Sequence, residues 1–159
     1  MGGHPNWWAM FRGTFEHTVD EKGRVSIPSR FRELLQATSD NGVVITNFQM
    51  GGAACLDVYP YPDWEKLEAE LTKKPQFKQK LLTFITFYTS HAQVCEIDKQ
   101  GRILLPPTLR EYAGLKRDVI IASALRKFRI FDRDVWKQAF QAASLEVAQN
   151  PQLLDELEI

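Results

Sequence analysis

Two arginines, Arg24 and Arg102, each stand directly after a glycine and four residues after an aspartate. The segments are Asp20-Glu21-Lys22-Gly23-Arg24 and Asp98-Lys99-Gln100-Gly101-Arg102. Asp bonds readily to the backbone that follows it and Gly accepts positive φ, so each segment predicts a tight turn that ends on a guanidinium. The chemistry on offer is anion recognition. A planar guanidinium fork matches a phosphate or the O6/N7 edge of guanine, and a tight turn can carry it into a groove. The bland alternative is that Asp20 and Asp98 pair with their own arginines and merely brace the turns. The two readings are compatible, since an Asp can hold an Arg in place for a third partner. Lys22 and Lys99 add charge on the turns, and Arg30 and Arg32 follow the first turn, with Arg110 matching Arg32.

Other reactive side chains are less promising. His91 and Cys95 are four apart and would share a face on a helix, but zinc normally takes four ligands and no second pair is near. A helix end running into a strand is the simpler expectation there. His17 precedes the first turn, close enough to offer DNA a contact, but a half-exposed strand residue is the simpler reading. Trp64 and Trp136 have helical spacing with Leu67 and Phe140, which places them in a core or an interface rather than against a base. No Ser/His/Asp set, carboxylate pair or glycine-rich phosphate loop stands out. The sequence therefore predicts no catalysis, no cofactor and no metal.

Composition bounds the alternatives. The 159 residues carry 20 Lys plus Arg against 20 Asp plus Glu, a formal net charge of zero. A protein that wrapped nucleic acid over its whole surface would be basic, so any positive charge must act locally and several copies must act together. The Asp20–Arg32 window alone, with Lys22, Arg24, Arg30 and Arg32 against Asp20 and Glu21, would bind DNA feebly. No run is long enough to cross a membrane, and no secretory signal is visible. Two separated cysteines, Cys55 and Cys95, fit a reducing cytoplasm better than a disulfide framework.

The elements that position the turns come from an internal repeat. Val19 through Glu33 recurs as Ile97 through Glu111 at a constant offset of 78, with Asp, Gly, Arg, Pro, Arg and Glu identical. Val43-Val44-Ile45 and Val119-Ile120-Ile121 read as buried strands. Leu56, Val58, Tyr59 and Trp64 match Phe128, Ile130, Phe131 and Trp136 at an offset of 72. The first copy thus holds about six extra residues, assigned to Asn47–Ala54 around Gly51-Gly52. Each unit predicts strand, turn, strand, short helix, strand, hairpin, strand and longer helix. Pro28 and Pro106 mark the short helices' starts, and Gly114 caps the second one. Longer helices are predicted from near Asp63 and near Asp134. A further amphipathic stretch holds Phe77, Leu81, Phe84, Ile85 and Tyr88, and a leucine-rich acidic tail follows Pro151.

The segment Met10-Phe11-Arg12-Gly13, the two Asp-x-x-Gly-Arg turns in tandem, Trp64 after Pro62 and Gly114-Leu115 together resemble the MraZ family over nearly the whole chain. The resemblance implies an α+β, β-rich fold of two tandem AbrB-like, swapped-hairpin β-α-β units forming a double-split β-barrel with peripheral helices. It implies a transcriptional regulator that binds short direct repeats in double-stranded DNA, upstream of its own division and cell-wall gene cluster, as a ring-shaped homo-oligomer. The DNA-contacting arginines of the family fall on Arg24 and Arg102. A cytoplasmic, nucleoid-associated location follows. The alternative is an antitoxin-like module of the same fold that holds a partner protein with its helical tail. The expected divisions are an N-terminal extension at 1–9 (a vector remnant, a misassigned start or a native arm), a first repeat at 10–75, a connecting helix at 76–90, a second repeat at 91–144 and a tail at 145–159. Gln100 stands where the first turn has Lys22, so the two turns are expected to bind DNA unequally.

Overall fold

The computed structural model describes residues 10–159; the expectation for residues 1–9 lies outside it. The first repeat runs β1 (Thr14–Thr18), β2 (Arg24–Ser26), α1 (Ser29–Ser39), β3 (Gly42–Met50), β4 (Ala53–Pro60) and α2 (Tyr61–Thr72). After α3 (Gln79–Thr89) the order returns: β5 (Gln93–Glu96), β6 (Arg102–Leu104), α4 (Pro107–Tyr112), β7 (Asp118–Ala124), β8 (Lys127–Asp132) and α5 (Arg133–Gln149), with a short α6 (Leu153–Glu156). This is the α+β, strand-rich arrangement of two tandem units that the sequence predicts. The longer helices begin at Tyr61 and Arg133, within two residues of the expected starts.

The repeats are interleaved rather than stacked. One antiparallel sheet has the order β1-β7-β8-β4-β3-β5, and β2 pairs with β6 in a second, two-stranded sheet. Each repeat's opening strand therefore adds to the other repeat's hairpin: β1 lies on β7 and β5 on β3. The two hairpins join edge to edge through β4 and β8. Backbone bonds repeat the exchange symmetrically. Ile27 N donates to Gly101 O and Leu105 N donates to Gly23 O, both at 2.9 Å.

Alternation along the strands builds a core on one sheet face. Val43 and Ile45 of β3, Leu56 and Val58 of β4, Val119 and Ile121 of β7, and Phe128 and Ile130 of β8 all enter it. The β2–β6 ribbon contributes Val25 and Ile103 to the same core, and α1 and α4 contribute Phe31, Leu35 and Leu109. The other sheet face meets α2 and α3 through Val44, Trp64 and Tyr88, and α5 through Cys55, Phe131 and Ala139. Both faces of the central strands are thus covered, which explains why they read as nearly continuous apolar runs.

The six extra residues of the first repeat prove to be divided. Val43 pairs with Pro60 in the first hairpin, whereas the equivalent Val119 pairs with Asp132. The first hairpin is four residues longer, two per strand, with the same two-residue turn. The remaining two residues lengthen the segment through α1, an 11-residue helix against six in α4.

A charged group is buried beneath α3. Asp57 of β4 has no exposed surface. Its carboxylate meets Arg129 Nε at 2.8 Å and Lys127 Nζ at 3.1 Å, and it accepts a short hydrogen bond from the Tyr88 hydroxyl. The Tyr88 and Tyr59 hydroxyls are 2.7 Å apart, and Lys127 Nζ donates to Tyr59 at 2.9 Å. Thr46 and Asn47 of β3 donate to the Tyr88 and Phe87 carbonyls, fixing the end of α3. Burial, reinforced by the Asp57 charge, pushes the Tyr88 phenol pKa far upward, so it stays a donor. Asp57→Ala leaves two cations facing an apolar layer. Its expected cost is about 3 kcal/mol, read as a lowered urea midpoint with unchanged slope; a loss below about 1 kcal/mol would show the network to be dispensable.

Candidate nucleic-acid interface

The two turns fold as the Asp-x-x-Gly-Arg pattern requires. Asp20 Oδ1 accepts hydrogen bonds from the Lys22 and Arg24 amides, both at 2.9 Å, and Oδ2 accepts from Arg24 Nε at 2.8 Å. Asp98 does the same for Gln100 N, Arg102 N and Arg102 Nε, at 2.9, 2.9 and 3.0 Å. Both predicted roles of the Asp–Arg pair are therefore compatible with the geometry. The bracket is present, yet it engages only Nε of each guanidinium. The donated amides, Arg24 first for Asp20 and Arg102 first for Asp98, hold both carboxylates below the ordinary value of 3.8.

Glycine is required at Gly23 and Gly101, where φ is +84° and +79°. A second reason lies in the opposite repeat. A Cβ on Gly23 would sit 2.9 Å from Arg110 Cζ, and one on Gly101 would strike the Arg32 guanidinium. The arginine of each short helix thus packs against the turn of the other repeat. This moves Arg32 from the role expected of it: it is half-buried against the second turn, with its Nε buried. Arg30 is exposed on α1, and Lys22 and Lys99 are exposed on the turns.

The pairing of β2 with β6 brings the two turns together. Arg24 lies opposite Leu104, Val25 opposite Ile103, and Ser26 opposite Arg102. Directly opposed residues in an antiparallel pair share a face. One face of the ribbon is therefore Val25 and Ile103, fully buried. The other carries Arg24, Ser26, Arg102 and Leu104 outward. The two arginines are diagonal neighbours, about 7–8 Å apart by ladder geometry. Leu104, 59% exposed in the middle of this face, escaped the sequence reading because its alternation looked like that of any strand end.

The remaining candidates separate from this surface. His17 is half-buried on β1, and burial followed by the Arg32 charge lowers its pKa, which favours neutral imidazole over a cationic phosphate contact. His91 follows α3 and Cys95 lies within β5, so they share no helical face. Among the described residues no group of three His, Cys, Asp or Glu side chains is placed to hold a metal ion, and no helix is long and apolar enough to cross a membrane. Trp64 is buried with Val44 and Tyr88, and Trp136 packs on Phe131.

Because Asp20 and Asp98 titrate below their unfolded value, their contribution to stability is complete above about pH 4 and disappears as pH falls through the lowered values. An Asp20→Asn, Asp98→Asn double variant should start less stable at neutral pH and lose less on acidification below pH 3.8 than the parent. Chemical denaturation at stepped pH checks this; parallel curves would remove the brackets from the acid limb.

The chain matches the family model for the MraZ protein, described as antitoxin-like, over residues 10–84 and again over 88–155. It is 42% identical over 127 residues to the transcriptional regulator MraZ of Thioalkalivibrio sulfidiphilus, covering 80% of this chain and 83% of the relative. The MraZ regulator of Syntrophobacter fumaroxidans is 43% identical, covering 79% and 81% respectively. That of Thermoanaerobacter sp. is 38% identical over 150 residues, 94% of this chain and all of the relative. These relatives are named as regulators and not as enzymes. Matched by the family model over most of its length and 38–43% identical to these relatives, the chain belongs to the MraZ family.

Proposed function

We propose that this protein regulates transcription by placing the β2–β6 ribbon in the major groove of double-stranded DNA. The observation that carries this is the outward ribbon face with Arg24 and Arg102 on it. A two-stranded β-ribbon fits the major groove of B-DNA. Each arginine is braced through Nε by its Asp, which leaves the Nη edge to take guanine O6/N7 or a phosphate. Leu104 offers an apolar contact of the kind a thymine methyl takes. The regulatory names of the relatives support the same reading, and Lys22, Lys99 and Arg30 supply exposed charge around the ribbon. Such a protein works in the cytoplasm, on the nucleoid.

A chain of zero net charge needs several copies to hold DNA firmly, and the surface offers the means for assembly. Phe84 is exposed on α3 and Phe140 and Leu145 on α5, while Leu154, Leu157 and Ile159 are exposed in the tail. A head-to-tail contact that closes makes a ring, whose ribbons would meet successive direct repeats as linked sites. Light scattering at micromolar concentration should return a mass several times 18.3 kDa; a monomer mass would end the ring proposal. A second reading takes the tail's apolar residues, in a family described as antitoxin-like, as the seat for a partner protein. Under that reading a chain lacking residues 153–159 loses its partner but keeps whatever DNA affinity it has.

The direct test is binding to the DNA upstream of its own gene. Arg24→Ala should cost about 1–3 kcal/mol per site, and more than Arg102→Ala, because Lys22 supports the first turn where Gln100 stands in the second. Both variants should keep the parent's melting temperature. Asp20→Ala should lower both melting temperature and affinity. If Arg24→Ala binds like the parent, the turn is a structural bracket alone.

A further inference from the structure

The near-twofold relation between the repeats fails in charge beside the two turns. A cleft of about 750 Å³ lies beside the first turn, where Lys22 and Arg24 face Arg110, Lys116 and Arg117 of the second repeat. Its counterpart beside the second turn, about 620 Å³, has Lys99 and Gly101 facing Arg32, Gln36 and Asn41. The correspondence is fixed by backbone bonds. Val19 N donates to Arg117 O at 2.8 Å, and the equivalent Ile97 N donates to Asn41 O at 3.0 Å. Arg117 therefore occupies the place of Asn41, and Lys116 that of Asp40. Two cations line the first cleft; of their counterparts, the amide Asn41 lines the second cleft and the acid Asp40 lies next to it in sequence, outside the lining.

We propose that the first cleft is a phosphate-binding site for the DNA backbone and that the second is not; this rests on the DNA-binding reading given above. The cations of the first cleft are held without neutralisation. Lys22, Arg110, Lys116 and Arg117 make no salt bridge with any described residue, and the Asp20 carboxylate is already engaged by Arg24. Glu21 is the other acid on the cleft wall. The loop that carries Lys116 and Arg117 is pinned in advance. Leu115 N donates to Arg110 O at 3.1 Å, Lys116 N to Asp132 Oδ1 at 3.4 Å, and the Arg117 carbonyl accepts from Val19. Clustered like charges fixed in place by backbone bonds are stabilised by an anion, and a groove beside a base-reading turn is where a duplex presents phosphates. The consequence is orientation. A perfectly twofold ribbon would lie on DNA equally well in either direction; a phosphate grip at one turn selects one direction, as direct repeats without a dyad require.

The test measures binding of the full-length chain to upstream duplex and to random duplex by fluorescence anisotropy between 50 and 200 mM salt. The variants are K116Q/R117Q and, at the second turn, K99Q. These side chains are exposed, and the Arg117 bond to Val19 uses its carbonyl, so melting temperatures should match the parent's. The double variant should flatten the slope of log affinity against log salt by about 1–2, roughly 0.9 per lost phosphate contact. Affinity for both duplexes should fall together by about tenfold, leaving their ratio unchanged, and K99Q, which removes one charge near the ribbon and none from the first cleft, should flatten the slope by no more than half as much. An unchanged slope in the double variant, or an equal effect of K99Q, overturns the assignment. A parent chain that binds no duplex overturns the DNA reading itself, which is a separate outcome. Inorganic phosphate titrated calorimetrically without DNA at constant ionic strength should show no saturable binding below millimolar. Tight binding lost in K116Q/R117Q would assign the cleft to a free phosphate ligand instead and overturn the backbone proposal.

Discussion

The opening strands of both repeats direct their backbone hydrogen bonds across to the other repeat. β1 bonds to β7, β5 to β3, and β2 to β6. A strand cannot leave those groups unpaired inside a core without a penalty of several kcal/mol, so neither unit has a finished sheet alone. The rest of the molecule follows from this constraint. The core gathers Val25 and Ile103 over both hairpins at once. The short-helix arginines, Arg32 and Arg110, reach the turn of the opposite repeat and make glycine obligatory there. The outward arginines become neighbours only because β2 and β6 are partners.

The exchange also decides where departures from symmetry have effect. Arg110, Leu115, Lys116 and Arg117 belong to the second repeat in sequence but line the cleft beside the first turn in space. A charge altered in one half thus changes the surroundings of the turn in the other half. The two turns can differ in electrostatics while their internal geometry stays the same to within about 0.2 Å. Beneath the sheet, the Asp57 group plays a comparable part for α3, tying the link between repeats to both hairpins through Asp57, Arg129 and Thr46.

What the sequence made legible was local. The turns depend on an Asp, a Gly and an Arg within five residues, and the Asp side-chain bonds that shape them stay within those five. The strands alternate, and Trp64 and Tyr88 fall on helical faces that are indeed buried. The strand exchange was not legible from pattern, because pairing within a repeat satisfies the same alternation; only the family resemblance implied it. Lys116 and Arg117 were missed for the same reason, since nothing near them in sequence marks a site. The placing of all six extra residues in one hairpin failed because an offset records a total and not its distribution. Arg32 looked like a free cation in the sequence, and only the approach of Gly101 from the other repeat shows what it packs against. Asp57 gave no signal, as its counter-charges lie about 70 residues away.

The exchange of β1 has a consequence for how the chain is made. Phe15 pairs with Ile121, 106 residues later. At a synthesis rate of about 5–20 residues per second, β1 leaves the ribosome on the order of ten seconds before its partner exists. During that interval the first hairpin, β3 with β4, can close, but its outer edge at β3 must wait for β5 and its other edge for β8. The nascent chain therefore presents two open strand edges, one of them holding Val43, Val44 and Ile45, the kind of surface that chaperones shield and that pairs with other nascent copies. Folding dominated by contacts this distant in sequence is slow for a chain of this size. The feature that lets one polypeptide carry both arginines on a single ribbon also makes its birth the most aggregation-exposed moment of its life.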